Sequence, residues 1–197
     1  MDKPTIVFAS HNTNKLMELK QSLGKTIHLL SLKDIDFHHR IAETASTLEG
    51  NALLKAQRVF ISCPFPTISD DTGLFVKALH GIPGVHSARY AGENATAQEN
   101  NLKLLNAMQQ IDNRQAMFRT VFCLFYQDNH HFIRGEVKGM ITHQMQGQKG
   151  FGYDPIFIPN GHQQTFGQMS FEDKNRWSHR AKAIMKLRAY FSKNKFC

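Results

Sequence analysis

The chain has 197 residues, 41% hydrophobic and 20% charged, a make-up that excludes a disordered or fibrous protein and allows a real core. No apolar run reaches the roughly 18 residues that a membrane span needs, and Thr5–Ala9 is too short for a signal peptide and lacks a basic segment of the kind that precedes one. Lysine and arginine number 24 against 16 acids, and the net charge of +8 favours acidic partners (nucleotides, phosphates or nucleic acid) without choosing among them.

The three cysteines, Cys63, Cys123 and Cys197, are odd in number and unclustered, so they read as reduced thiols of a cytoplasmic protein. Two histidine pairs, His38-His39 and His130-His131, lack zinc-finger or H-E-x-x-H spacing, so no dedicated zinc site is expected.

Thr5 to Ser10 reads as a short apolar strand. It breaks at Ser10-His11-Asn12-Thr13-Asn14-Lys15, after which Leu16, Leu19 and Leu23 recur on one helical face, with Gly24 placed to end the helix. Strand, polar loop and helix make the geometry in which helix N-terminal amides hold an anion. Ser10, Asn12 and Thr13 add donors there, and Lys15 adds a charge. The glycines of a Walker A loop are missing. Taken alone, the stretch is equally an N-cap surrounded by surface polar residues.

Thr26 to Leu32 is a second strand. Asp34 to Ala45 is polar and irregular and holds Glu43. Thr47 opens a helix with Leu48, Ala52, Ala56 and Val59 on its core side, while Asn51 and Lys55, four apart, share another face. Ile68 to Leu74 then reads as a strand end running into Asp70, Asp71, Thr72 and a turn at Gly73. Two adjacent carboxylates at the edge of buried apolar chain repel each other. A hard cation such as Mg²⁺ offsets that with few oxygen ligands; a solvated Asp-rich turn is the alternative.

Gly81 to Gly92 is a loop punctuated by glycine and proline, read as a lid support or an interface. Thr96-Ala97-Gln98-Glu99 is a capping box, and the helix it starts is expected to bury Leu102, Leu105 and Met108. Phe118 to Tyr126 and Phe132 to Thr142 flank an Asp128-Asn129 turn and read as an antiparallel hairpin. Gly147 to Pro155 is a glycine-spaced aromatic turn in which Phe151 and Tyr153 are free to present a ring to something flat. Ile156 to Ile158 is a last strand. A second capping box, Ser170 to Asp173, opens a helix whose stripe of Trp177, Ala181, Ile184, Leu187 and Phe191 is core. Lys174, His179 and Arg180 gather near its start, a pattern also common on a solvated helix face. Strands and helices alternate early and a hairpin follows, which indicates an α/β fold with a mixed sheet.

The polar groups share one chemical theme. The cations suit a polyphosphate, Glu43, Asp70 and Asp71 suit Mg²⁺, and the aromatic turn suits a base. One carboxylate free of full metal duty takes a proton from water, and the metal sharpens that water and neutralises phosphate charge. Nucleotide hydrolysis follows more naturally than kinase transfer, since no motif for a second substrate is visible.

Seven motifs in order carry a resemblance: S-H-N-T-N-K (Ser10–Lys15), E-T (Glu43–Thr44), N-A-L-L-K-A (Asn51–Ala56), S-D-D-T-G-L (Ser69–Leu74), P-G-V-H-S-A-R-Y-A-G (Pro83–Gly92), G-F-G-Y-D-P-I-F (Gly150–Phe157) and S-H-R-x-K-A (Ser178–Ala183). With them the chain resembles, nearly end to end, the inosine triphosphate pyrophosphatases, which act on noncanonical purine nucleoside triphosphates. The resemblance implies one α/β domain over residues 1–197, in which a long mixed β-sheet and its helices form two lobes around a central substrate cleft. It implies cleavage of ITP, dITP or XTP to the monophosphate and pyrophosphate with Mg²⁺, removing these nucleotides from the pool. It also implies a homodimer, with no direct nucleic-acid or membrane partner.

Carried over by motif, Asp71 is the general base and a metal ligand, with Glu43 and Asp70 near the metal. Ser10, His11, Asn12, Thr13, Asn14, Lys15 and Lys55 hold the triphosphate, and Thr72 contacts the substrate. Phe151, with Gly152 and Tyr153 beside it, stacks on the base, and Asp154, Lys174, His179 and Arg180 read its edge. Three positions depart from the family pattern: His11, where a small residue is common; His86, for tyrosine; and Trp177, for a smaller aliphatic. Two rivals remain. One is a nucleotide- or RNA-binding protein without catalysis, whose binding falls steeply with salt; the other is a Maf-type nucleotide pyrophosphatase, which lacks this run of motifs.

Overall fold

The computed structural model describes residues 3–63 and 65–194, so Cys197 lies outside the described residues; Cys63 and Cys123 are free and buried. Strand β1 (Thr5–Phe8) leads to helix α1 (Thr13–Leu23). Asn12 caps α1 by accepting the Lys15 N–H, one of the donors a helix start leaves over, a bond that stabilises by roughly 1 kcal/mol. Strand β2 (His28–Ser31) and helix α2 (Leu48–Phe60, capped by Thr47) precede the long strand β3 (Thr67–Val76). Strand β4 (Pro83–Gly84) and helix α3 (Ala97–Ala107) follow, and both halves of the Thr96/Glu99 capping box form. Strands β5 (Gln115–Tyr126) and β6 (Asn129–Ile141) are joined by Gln127 and Asp128, both at positive φ, the conformation a tight hairpin turn demands. Strand β7 (Phe157–Pro159) and helices α4 (Phe171–Trp177) and α5 (His179–Lys193) complete the described chain.

The sheet runs β2-β1-β3-β5-β6-β7, with β4 on β3. β1 is parallel to both β2 and β3, whereas β4 and β7 pair antiparallel with β3 and β6. This is the mixed α/β sheet that the alternation of elements predicts. The chain divides into two compact units. Unit 1 comprises Met1–Asp71, Thr120–Gly135 and Ala183–Cys197, and packs Ile6, Phe8, Leu19, Leu23, Ile68, Phe122 and Leu187 into one cluster and Val7, Leu32, Phe37 and Val59 into another. Unit 2 comprises Thr72–Arg119 and Glu136–Lys182, with Leu74, Val76, Leu104, Phe118, Ile156, Phe157 and Phe166 at its centre. Among the described residues no helix is long and apolar enough to cross a membrane.

Three expectations change. Asp70 and Asp71 do not end a strand at a glycine turn: β3 continues through them to Val76, and Gly73 is a strand residue. A Cβ there would come within 2.5 Å of the Gly84 carbonyl oxygen, so glycine is what lets β4 close on β3. On α3 the buried face is Asn100, Asn101 and Leu104, and Leu102 is exposed. Asn100 and Asn101 donate to backbone carbonyls there and outcompete a leucine for that face, while Met108 is buried as the pattern predicts. The last helix is two helices, since Ser178 takes extended backbone between α4 and α5. Trp177 therefore leaves the core stripe and is 48% exposed, tilted against the His162 ring at 5.2 Å.

Candidate active site

Alternate residues of a strand point to opposite faces. On β3 that gives Asp70 and Asp71 different partners, both within unit 1. Asp70, fully buried, takes the Lys15 ammonium from α1 at 3.0 Å. Asp71 takes the Lys55 ammonium from α2 at 2.8 Å through Oδ1, and its Oδ2 accepts from Asn51 Nδ2 at 3.2 Å. Lys55 Nζ also donates to Glu43 Oε1 at 2.6 Å. The expectation that Asn51 and Lys55 share a face holds, and that face is buried. Next to this cluster, Ser10 Oγ accepts the Asn12 N–H, Thr13 opens α1, Asn14 is half-buried and His11 Nε2 lies 3.1 Å from the His39 carbonyl.

Among the side chains just named, three carboxylates meet two ammoniums. Burial pushes the Lys55 ammonium down, but the charges of Asp71, Glu43 and Asp70 outweigh it and hold Lys55 above its ordinary range. Asp71 is also raised: burial is the larger cause, and the pull of Lys55 is opposed by the Glu43 charge. In Lys55 neighbouring charge outweighs burial, and in Asp71 burial outweighs the pull of the lysines. Such a cluster attracts a further cation. Among the described residues no three His, Cys, Asp or Glu side chains gather as metal ligands. Mg²⁺ asks for less, one or two carboxylates completed by water and phosphate. Glu43 and Asp71 already converge on one positive centre with oxygen donors, so they fit it.

Unit 2 carries the second cluster. The Lys174 ammonium of α4 and the Phe151 N–H both donate to Asp154 Oδ2, at 2.6 and 2.7 Å. Lys174 Nζ stands 4.2 Å, and the Arg180 guanidinium 5.4 Å, from the centre of the Phe151 ring, within range of cation–π attraction. Arg180 Nη2 donates to Thr72 Oγ1 at 3.2 Å, and the His179 ring stacks on Phe118 at 4.6 Å. Lys174, His179 and Arg180 are all buried, so the solvated-face reading of this trio is overturned. The break at Ser178 is the reason: it turns the first residues of α5 inward while α4 delivers Lys174. Tyr153 does not present its ring to a flat partner. It is buried in the unit 2 core, and its hydroxyl donates to the Ser87 carbonyl at 2.8 Å.

With this geometry in view, the profile of the Ham1 family matches residues 6–190. The chain belongs to the Ham1 family. It is 48% identical to a dITP/XTP pyrophosphatase of Flavobacterium psychrophilum over 94% of this chain and 98% of that one. A dITP/XTP pyrophosphatase of Porphyromonas gingivalis is 46% identical, over 94% and 96%. Among solved structures, a HAM1 protein of Coxiella burnetii superposes with a TM-score of 0.90 at 34% identity, covering 97% of this chain and all of that one. The Staphylococcus aureus Ham1 protein gives 0.88 at 38% identity, with the same coverage.

In this Ham1 chain the residues singled out from sequence fall into two sets. Lys15, Glu43, Lys55, Asp70 and Asp71 meet in unit 1; Thr72, Phe151, Asp154, Lys174 and Arg180 meet in unit 2, with His179 against Phe118. Gly152 joins the second set through its backbone, since Asn101 Nδ2 donates to its carbonyl at 3.0 Å. Sequence reasoning placed Asn51 beside Lys55 but gave no role to three polar residues that hold these sets in place: Asn51, Ser87 and Asn101. Ser87 Oγ accepts the Leu74 N–H at 2.8 Å and donates to the Gly84 carbonyl at 2.6 Å, pinning the Pro-Gly loop to β3. The signal available for Asn51 was its four-residue spacing from Lys55; Asn101 and Ser87 had none, because their partners are distant backbone atoms.

Proposed function

We propose that the chain hydrolyses noncanonical purine nucleoside triphosphates (ITP, dITP and XTP) to the monophosphate and pyrophosphate, keeping them out of DNA and RNA. One observation carries the reading: a chain 48% identical to a dITP/XTP pyrophosphatase along nearly its whole length sets a buried acid, Asp71, between a lysine and an amide.

The chemistry is attack of water on the α-phosphorus, forming one P–O bond as the bridging P–O bond to pyrophosphate breaks. Asp71 receives the water proton. Lys15, Lys55 and the donors of Ser10 to Asn14 hold the phosphate oxygens. Glu43 and Asp71 would hold Mg²⁺, which would supply charge neutralisation and an activated water, while Asp70 fixes Lys15. In unit 2, Phe151 offers the stacking surface, and Lys174, His179 and Arg180 are donors for a 6-oxo purine. Adenine places an amino donor where they need an acceptor, and a site built on such a bond rejects the misfit by roughly 10⁴–10⁵. The protein works as a homodimer in the cytoplasm, where the free Cys63 and Cys123 are at home.

Pyrophosphate release from ITP, dITP, XTP, GTP and ATP, with Mg²⁺ and with chelator, tests this. Release from the first three that disappears with chelator is expected. Equal release from ATP would sink the base assignment, and no release from any would leave a binding protein. Sedimentation of the purified chain tests the dimer.

A further inference from the structure

We propose that Asn51 is a positioning residue that sets Glu43 and Asp71 against each other; this rests on the function proposed above. Asn51 is fully buried in the first turn of α2 and uses both ends of its amide. Nδ2 donates to Asp71 Oδ2 at 3.2 Å, and Oδ1 accepts the Ala45 N–H at 2.9 Å. Ala45 lies two residues beyond Glu43 in a segment without helix or strand, so nothing periodic holds that backbone. One amide thus ties the segment bearing one carboxylate to the strand bearing the other. Lys55, a turn further along α2, closes the same loop through charge, touching both carboxylates at 2.6 and 2.8 Å.

The two ties differ in kind. A flexible ammonium attracts both acids but prescribes no orientation, whereas a planar amide fixes direction at both ends. Asn51 also leaves Asp71 Oδ1 to the cationic centre, because it occupies Oδ2. Gly50, the residue before it, is a second device with the same result. A Cβ at Gly50 would lie 2.6 Å from the Ala45 Cβ, so only glycine lets the Glu43–Ala45 segment settle on α2 close enough to reach Asn51. Misplacement of a reacting group by about 1 Å costs on the order of 10²-fold in rate, and the amide is what prevents it here.

Asn51→Asp and Asn51→Ala separate the two ends. The aspartate keeps an acceptor for the Ala45 N–H and cannot donate to Asp71; the alanine loses both. Turnover of ITP is expected to fall by about tenfold or more in Asn51→Asp and further in Asn51→Ala, with KM within about threefold of wild type in both. In the metal-free protein, hydrogen exchange at the Ala45 amide is expected to stay slow in Asn51→Asp and to quicken in Asn51→Ala. The loss in the uncharged variant shows that repulsion by a new carboxylate is not the cause. A kcat of Asn51→Asp within about twofold of wild type, or a loss carried by KM alone, overturns the inference. A wild-type protein that releases no pyrophosphate overturns it together with the functional reading, whereas an active wild type beside an unaffected Asn51→Asp overturns this inference alone.

Discussion

Each unit buries an aspartate on a lysine, Asp71–Lys55 in unit 1 and Asp154–Lys174 in unit 2, and the two pairs are built for opposite tasks. In unit 1 the ammonium is shared by a second carboxylate, Glu43, and a third acid, Asp70, lies close enough to raise Lys55. Acid is in surplus, so the cluster is poised to take another cation or to keep a proton. In unit 2 the carboxylate belongs to a cluster richer in donors: Lys174, the Phe151 N–H and the nearby Arg180. Among these groups donors outnumber carboxylates, the opposite balance to unit 1. In the proposed function the same two residue types serve catalysis in one unit and recognition in the other, according to the groups around them.

The largest expected effect breaks the first pair. Asp71→Asn keeps size and the Lys55 contact but removes the base, so turnover of ITP falls by about 10²–10⁴. Chemical denaturation, read alongside pyrophosphate release, should show a cooperatively folded protein. Near-normal turnover would take the base role from Asp71.

Breaking the second pair should act on stability. Asp154→Ala leaves a buried ammonium without its carboxylate and costs about 3–5 kcal/mol. Urea unfolding measures the loss. Asp154→Leu combined with Lys174→Met should recover most of it, because an apolar pair of similar volume avoids the desolvation penalty. Discrimination between ITP and ATP should not recover. A double variant that still prefers ITP would remove these residues from base readout.

The buried acids of unit 1 also have a pH signature in Mg²⁺-free buffer. Asp71 is held above its ordinary value of 3.8, chiefly by burial, so the folded protein keeps a proton that the unfolded chain has released. This group's contribution to stability is therefore present below pH 3.8 and lost as pH rises through the folded value. Lys55 is raised above 10.5 by Asp71, Glu43 and Asp70 against the effect of burial, and its contribution is present below pH 10.5 and lost above it. Asp71→Asn should accordingly gain stability relative to wild type as pH rises out of the acid range. A gap between the two unfolding curves that does not change with pH would refute the raised Asp71. The smallest effect belongs to Trp177, which lies outside both clusters. Trp177→Ala should change stability by no more than about 0.5 kcal/mol and leave the ITP/ATP ratio unaltered.

Periodicity and capping were legible in the sequence because they are local. The apolar face of α1, the Thr96/Glu99 box and the β5–β6 hairpin depend on residues a few positions apart, and each appears where the pattern puts it. The mixed sheet follows from their order. Motifs along the chain also contain most residues of both clusters. What the sequence could not determine was which of them touch and which face water. Lys174, His179 and Arg180 look like an exposed basic face until Ser178 breaks the helix, and Leu102 looks like core until Asn100 and Asn101 find backbone partners at Ala88, Ala91 and Gly152. A buried polar group is stable only if its partner is present, and these partners lie nine to fifty-one residues away. Only the tertiary structure decides such pairings, and with them which sign of charge each site has to spare.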